Sequence, residues 1–164
     1  MKTKKLTLSA LFIALGVISA HVIYIPIGAS KCFPVQHTIN ILSAVLLGPW
    51  YAVGNAFIIS LFRNILGTGS ILAFPGSMIG AFLAGILYKR FKNNLSALAG
   101  EVIGTGILGA LLAFPIAKLI LGKDVAALFF VIPFLISTVG GSIIGYIMLT
   151  ATKITKIHKQ LYNS

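Results

Sequence analysis

Charge is scarce in this 164-residue chain, and acidic side chains are almost missing. Only 9% of the residues are charged and only 2 are Asp or Glu, whereas 58% are hydrophobic. The mean hydropathy is +1.03. An ordinary soluble domain has about 25% charged residues, so this chain has too few polar side chains to cover a water-exposed surface. The composition therefore excludes a soluble catalytic or nucleotide-binding domain.

Cysteine and the signature motifs of enzymes are also lacking. The one cysteine, Cys32, excludes an internal disulfide and any cysteine-based metal site. The sequence has no paired carboxylates, no Ser-His-Asp set and no metal-ligand spacing, and the Gly-Thr-Gly-Ser turn at 67–70 lacks the lysine of a phosphate-binding loop. We therefore predict a protein that is not an enzyme, with no cofactor and no metal.

Positive charge is present but is confined to short segments. The 13 Lys and Arg give a net charge of +11, which in a soluble protein would indicate nucleic-acid binding. Here most of the cations form three clusters between long apolar runs, which is a membrane-protein pattern and predicts no nucleic-acid partner. The clusters are Lys2, Lys4 and Lys5; Lys89, Arg90 and Lys92; and Lys153, Lys156 and Lys159.

The apolar runs predict an all-α integral membrane protein with six transmembrane helices. A span needs about 20 apolar residues, and the first run is longer than the ~7–15 residues of a signal peptide. Gly48-Pro49 divides the uncharged segment 32–62, because proline lacks an N–H and disfavours helix in the residue before it. The predicted helices are 6–26, 34–47, 50–66, 71–88, 96–120 and 126–150, in one membrane domain covering 1–164.

The three cationic clusters test this number of helices. Cytoplasmic loops are enriched in Lys and Arg, so an even number of crossings must separate the clusters. Four helices before Lys89 and two after Lys92 satisfy this requirement. Both termini are then cytoplasmic in a multi-pass protein of the bacterial cell membrane, in contact with lipid. A re-entrant pair in place of the second and third helices would preserve the parity and stays open.

Polar side chains collect at the outer end of this predicted bundle. They are costly in a bilayer unless they face protein or a water-filled cavity, so we predict an outward-facing cavity. Spacings of three and four place Gln36, His37 and Asn40 on one helical face, and the aromatic residues offer ring contacts. The candidate substrate-binding residues are Phe33, Gln36, His37, Asn40, Arg63, Asn64, Phe74, Ser77, Glu101 and Thr105.

Glu101 is the only acid within an apolar span. An intramembrane carboxylate indicates a functional role, and the flanking Gly100, Gly104 and Gly106 allow close approach. Three interpretations stay open. Glu101 forms the floor of a deep outer cavity, acts at the inner face, or has a structural role as an ion pair with Arg63 or a protonated, hydrogen-bonded carboxyl.

Helix one carries small residues four positions apart, Ala10 and Ala14. Small residues at this spacing let helix backbones approach closely in lipid. The pair predicts either a surface for a partner protein or packing within the same bundle.

The sequence resembles the ThiW family of substrate-binding S components of energy-coupling factor (ECF) vitamin transporters. The resemblance covers nearly the whole chain and rests on FPVQH at 33–37, AVLLGPWYAV at 44–53, RNILGTGS at 63–70, AFPGSM at 73–78 and GEVIGTG at 100–106. It implies six helices with cytoplasmic termini and an outward-facing site capped by the loop at 28–35. It also implies a transmembrane coupling protein that contacts Ala10 and Ala14, together with two ATPase subunits. The implied substrate is the thiazole precursor of thiamine, 4-methyl-5-(2-hydroxyethyl)thiazole.

Alternatives to this function stay open. A small neutral aromatic alcohol suits the polar cluster, whereas a cationic ligand such as thiamine would favour more acid than Glu101 alone. The chain could still serve another small vitamin, such as thiamine or the pyrimidine precursor. A stand-alone secondary carrier predicts repeats, broken helices and coupling acids. A membrane assembly protein without ligand would leave the polar cluster without a purpose.

Overall fold

The chain forms a helical bundle in the computed structural model, which describes residues 2–27, 30–126 and 128–151. The third cationic cluster, at 153–159, lies outside these residues. Within them, six helices occur together with one two-stranded antiparallel hairpin, β1 (Ile25–Ile27) and β2 (Ser30–Cys32). The predicted all-α class is confirmed. The helices are α1 (Lys2–Val22), α2 (Pro34–Leu46), α3 (Pro49–Ile65), α4 (Ala73–Phe91), α5 (Asn94–Leu119) and α6 (Val131–Thr150).

Proline, glycine and asparagine set several helix ends. Pro34 and Pro49 begin α2 and α3, at a position where their missing N–H would have no helical partner. Gly48 precedes α3 with a φ of 98°, a conformation that favours glycine. The side chain of Asn93 caps α5 by accepting a hydrogen bond from the Leu95 N–H at 3.0 Å.

Six predicted helix boundaries are wrong by two to five residues, including the starts of α1 and α5, which lie at Lys2 and Asn94 and not at 6 and 96. Helix α1 ends at Val22 and not at residue 26, because Ile25–Ile27 pairs with β2, with Pro26 opposite Lys31. Helix α6 begins at Val131 and not at 126, because the residues just before it form turns. Helix α4 spans Ala73–Phe91 where 71–88 was expected.

Helix α2 lies at the centre of the bundle. All of its residues except Val35 are buried, and it packs against each of the other five helices. At 1.5 Å per residue, 13 residues extend about 20 Å, less than the ~30 Å hydrocarbon thickness of a bilayer. The polar side chains of α2 are therefore interior groups and not interfacial ones.

Three helices in the described part of the chain are long and apolar enough to cross a membrane, namely α1, α5 and α6. Their outer faces carry exposed large hydrophobic side chains, among them Leu11, Leu112 and Ile143. A water-exposed surface of this kind would be unfavourable, whereas lipid accommodates it.

Helices α4 and α5 approach each other through glycine. A Cβ added to Gly104 would lie 2.6 Å from the Cα of Gly80, and one added to Gly100 would lie 2.6 Å from the nitrogen of Ala84. Such contact between backbones is a common means of helix association in membranes. Alongside it, α5 is π-helical over Val102–Gly109. A π-helical stretch in an α-helix often accompanies a functional site.

Candidate functional site

A cavity of about 500 Å³ lies among β2, the end of α3, the start of α4 and the connection between α5 and α6. Its volume is within the ~300–1,000 Å³ typical of small-molecule sites. The turn at 67–70 forms part of one wall. Six of the candidate binding residues line the cavity, namely Phe33, Gln36, His37, Arg63, Ser77 and Thr105. The remaining lining residues are Lys31, Leu72, Ala73, Lys123, Val125, Phe129, Phe130, Pro133, Phe134 and Ser137.

Glu101 lies behind this cavity and is fully buried. Its Oε1 accepts hydrogen bonds from Nδ1 of His37 at 2.8 Å, Nδ2 of Asn40 at 3.0 Å and Oγ1 of Thr105 at 3.0 Å. A buried carboxylate needs such donors to offset its desolvation. The carboxylate pairs with His37, so the interpretation as an ion pair with Arg63 is wrong.

The hydrogen bond to Glu101 fixes the orientation of the His37 ring. An ionised Glu101 only accepts, and Nδ1 of His37 is then the donor that carries the proton. His37 lines the cavity, and Nε2 is its remaining ring nitrogen. Nε2 accepts a hydrogen bond when the ring is neutral and donates one when the ring is protonated. A carboxylate behind a histidine is a common way to select the tautomer and hold the ring.

Arg63 is buried at the cavity wall, with 2% of its surface exposed. Its Nη1 donates to Oε1 of Gln36, and its Nη2 donates to the Thr68 carbonyl at 3.2 Å. The guanidinium carbon lies 3.7 Å from the ring centroid of Phe33, a cation–π contact. The amide of Gln36 also donates to Oγ of Ser60 at 3.1 Å. Both ends of the Gln36 amide are thus used in holding Arg63 and α3.

The last residue of the hairpin and the residue that follows it are hydrogen-bonded to the first part of α6. The Phe33 N–H donates to Oγ of Ser137 at 2.9 Å, and Sγ of Cys32 donates to the Pro133 carbonyl at 3.1 Å. Burial raises the pKa of the Cys32 thiol. Of the loop expected to cap the site, Lys31 and Phe33 line the cavity.

Four candidate binding residues do not line the cavity. Asn40 and Glu101 form the buried layer behind His37. Nδ2 of Asn64 donates to the carbonyls of Ser60 and Ser70, at 2.8 and 3.1 Å, and so holds the turn between α3 and α4. Phe74 packs against Phe57 with ring centroids 5.6 Å apart. These four positions make no direct contribution to the cavity surface.

The sequence did not single out the aromatic wall of the cavity. Three phenylalanines form this wall: Phe129 and Phe130 lie just before α6, and Phe134 lies in its first turn. In the sequence they indicate only the start of an apolar span. Their only signal is an unusual density of phenylalanine next to Pro133. Lys123 likewise resembles an ordinary loop lysine, whereas Ser137 is one of the polar residues that the predicted topology places in the outer half of the last helix.

Ala10 and Ala14 are exposed on the outside of α1. The buried face of this helix is formed by Ser9, Phe12, Gly16 and Ala20. Packing of the alanine pair within the same bundle is therefore not observed. Ala10 also lines a groove between α1 and α3.

A cavity with polar and aromatic walls lies within a bundle whose apolar helices are those of a membrane protein. The chain belongs to the ThiW family, because the family model described as "Thiamine-precursor transporter protein (ThiW)" matches residues 6–155. The family resemblance read from the sequence is thus confirmed. A transporter of this kind has a small-molecule substrate. Neither a curated protein nor a solved structure matches the chain.

Proposed function

We propose that this chain is the substrate-capture (S) subunit of an ECF-type transporter that takes up 4-methyl-5-(2-hydroxyethyl)thiazole. The observation that carries the proposal is the cavity itself. One side presents polar groups held by Glu101 and Arg63, and the other presents the phenylalanines before and in α6. Membership of a thiamine-precursor transporter family supports the substrate class.

In this proposal the thiazole ring packs between aromatic side chains, and the polar atoms of the ligand contact the polar side of the cavity. Phe33 and Phe134 supply flat apolar surface, which favours offset or edge-to-face ring contacts. His37, Ser77 and Thr105 are among the lining residues, and we assign to Nε2 of His37 and to the two hydroxyl groups the binding of the hydroxyethyl group and the ring nitrogen. Asn40, Gln36 and Glu101 are positioning residues, because they act through His37, Arg63 and Thr105.

The position of the cavity along the bundle supports the proposed membrane orientation. Leu6 in α1 and Trp50 at the start of α3 line one groove. A Cβ added to Gly85, in the second half of α4, would lie 2.6 Å from the Cα of Pro49, so the later part of α4 lies beside the start of α3. The cationic clusters at 2–5 and 89–92 are therefore toward this end, and the cavity is toward the opposite end. This supports cytoplasmic termini, six crossing helices and an outward-facing site in a bacterial cell membrane.

The sequence carries no nucleotide-binding loop, so uptake against a gradient would take its energy from a partner or from an ion gradient, and in this proposal the source is a partner. We assign that role to a transmembrane coupling protein with two ATPase subunits. Ala10 and Ala14 are the proposed contact, because their exposed small side chains permit close approach of a second helix. The adjoining groove, lined by Trp50 and Gly54, extends the same surface.

Equilibrium binding to the detergent-solubilised protein tests the site. We expect His37→Ala to weaken binding of the thiazole alcohol by about ten- to hundredfold, because a lost buried hydrogen bond costs about 1–3 kcal/mol. The matched control is His21→Ala. His21 is exposed and contacts the Val17 carbonyl of its own helix, so this variant should bind as the wild type does.

The outcomes separate the proposal from its alternatives. If the His37→Ala protein binds the thiazole alcohol as tightly as the wild type does, the proposed binding site is wrong. Tight binding of thiamine or of the pyrimidine precursor, without binding of the thiazole, reassigns the substrate. Uptake by cells that lack every ECF ATPase identifies a stand-alone secondary carrier.

A further inference from the structure

The cavity has a pronounced positive charge. Four cations lie outside the three cationic clusters of the sequence, and three of them, Lys31, Arg63 and Lys123, line the cavity. The fourth, Lys118, is exposed and lies over the Phe114 ring, 6.0 Å from its centroid.

Carboxylates do not balance this charge at the cavity surface. Among the described lining residues there is no Asp or Glu. The two acids of the chain lie elsewhere, since Glu101 is buried behind His37 and Asp124 is exposed next to Lys123 without lining the cavity.

Arg63 is the strongest sign of a missing counter-charge. Its guanidinium contacts only neutral groups among the described residues, namely the Gln36 amide, the Thr68 carbonyl and the Phe33 ring. Its Nε is buried and has no hydrogen-bond partner within the described part of the chain. A buried charge is costly unless it is paired. An anionic group in the cavity would supply that pairing.

We infer that the cavity takes an aromatic ligand that carries an anionic group, a phosphate or a carboxylate, seated at Arg63 between Lys31 and Lys123. This inference rests on the proposed role as a substrate-capture subunit, and it assigns to the site an anionic member of the thiamine precursors in place of the neutral thiazole alcohol. The volume of about 500 Å³ leaves space beside a single thiazole ring for such a group. The positive field also disfavours a cationic ligand.

The test compares three compounds with the purified protein in neutral detergent, which excludes anionic lipid as a competitor. The compounds are the thiazole alcohol, its phosphate ester and 4-methylthiazole-5-carboxylate. We expect at least one anion to bind about tenfold more tightly than the alcohol at low salt, and this preference to shrink at high salt.

Two lysine variants and a matched control assign the preference to the cavity. Lys31→Gln and Lys123→Gln should each lower the anion-to-alcohol affinity ratio by about three- to tenfold, as expected for a charge a few ångströms from the ligand. Lys118→Gln removes a cation from the same end of the molecule but not from the cavity, and should leave the ratio unchanged.

An anion that binds no more tightly than the alcohol overturns the inference and leaves the proposed function intact. The same follows if the Lys31→Gln and Lys123→Gln proteins retain the wild-type ratio. If none of the three compounds binds, both the inference and the proposed function fail.

Discussion

At the scale of single residues, one carboxylate oxygen organises the polar side of the cavity. Oε1 of Glu101 joins His37 and Asn40 on α2 to Thr105 on α5. Thr105 also donates to the Gly76 carbonyl on α4 at 3.0 Å. Three helices therefore meet at this point, and a change in the position of Glu101 is transmitted to the cavity through His37 and Thr105.

The absence of a side chain at Gly80 leaves room for the side chains of Glu101 and Thr105 to pack against α4. A Cβ at Gly80 would lie 2.7 Å from Oε2 of Glu101 and would overlap Oγ1 of Thr105. We expect Gly80→Ala to lower the melting temperature in detergent and to weaken ligand binding at least tenfold, because overpacking a tight contact costs about 1–3 kcal/mol. Thermal unfolding and equilibrium binding measure the two effects.

Gly54→Ala is the matched control for this prediction. Gly54 is also within a helix, and a Cβ there would meet nothing within 4 Å. Alanine in a helix is more favourable than glycine by about 0.5–1 kcal/mol, so this protein should be as stable as the wild type or slightly more so. Equal melting temperatures and affinities for both variants would contradict the role given to Gly80.

Part of the candidate site could be predicted from the polar residues of α2 and α3. Gln36 and His37 both line the cavity although they are adjacent on α2, and Arg63 lines it because it needs polar partners near a turn. Asn64 is next to Arg63 in sequence but points to the turn at 67–70 and holds it. Adjacency and similar polarity therefore did not by themselves specify a shared role.

At the scale of elements, the helix ends marked by proline were the most predictable features. Pro34 and Pro49 fixed the starts of α2 and α3. The hairpin was not predicted, because three-residue strands carry no periodic pattern and Ile25–Ile27 continues the apolar run of α1. The π-helical stretch Val102–Gly109 was also missed, since hydrophobic spacing does not specify the register of backbone hydrogen bonds.

The hydrogen bonds from Cys32 and Phe33 to α6 lead to a prediction about the reactivity of Cys32. This thiol is buried and its pKa is raised, so its thiolate fraction at a given pH is small and maleimide labelling should be slow. Ser137→Ala removes the acceptor of the Phe33 N–H. A hydrogen bond of about 0.5–1.5 kcal/mol is lost, and labelling should accelerate about two- to tenfold.

Ser142→Ala is the control for this experiment. Ser142 is buried in the same helix, and its hydroxyl has no partner among the described residues. Labelling at several pH values should become faster as the pH rises toward the pKa of the thiol, in both proteins. Identical rates for Ser137→Ala and Ser142→Ala would show that the Phe33–Ser137 bond does not hold the segment closed.

At the scale of the whole molecule, the proposed binding site and the proposed coupling surface are separate. The cavity is formed by the end of α3 and the start of α4, whereas Ala10 and Ala14 lie on either side of the middle of α1 and are exposed on its outside. We expect Ala14→Trp to abolish uptake and copurification with the ATPase subunits, because a large side chain separates the two helices. Ligand affinity should stay within about threefold of the wild type.

Ile143→Trp provides a lipid-facing control for the coupling prediction. Ile143 is half-exposed on α6, so a tryptophan there should meet lipid and leave both uptake and binding intact. If Ala14→Trp also retains uptake, the alanine pair is not the coupling surface. If it loses binding together with uptake, α1 contributes to the stability of the bundle and not to a separate interface.

The most direct test of the account is a crystal structure with the bound thiazole, read through the anomalous signal of its sulfur atom. The chain's own sulfur atoms come from one cysteine and 3 methionines, so an additional peak is readily assigned. We predict that peak inside the cavity, in contact with Phe33 and Phe134 and near Nε2 of His37. A peak in the groove between α1 and α3, or at the lipid-facing surface, would contradict the central claim that this cavity captures the substrate.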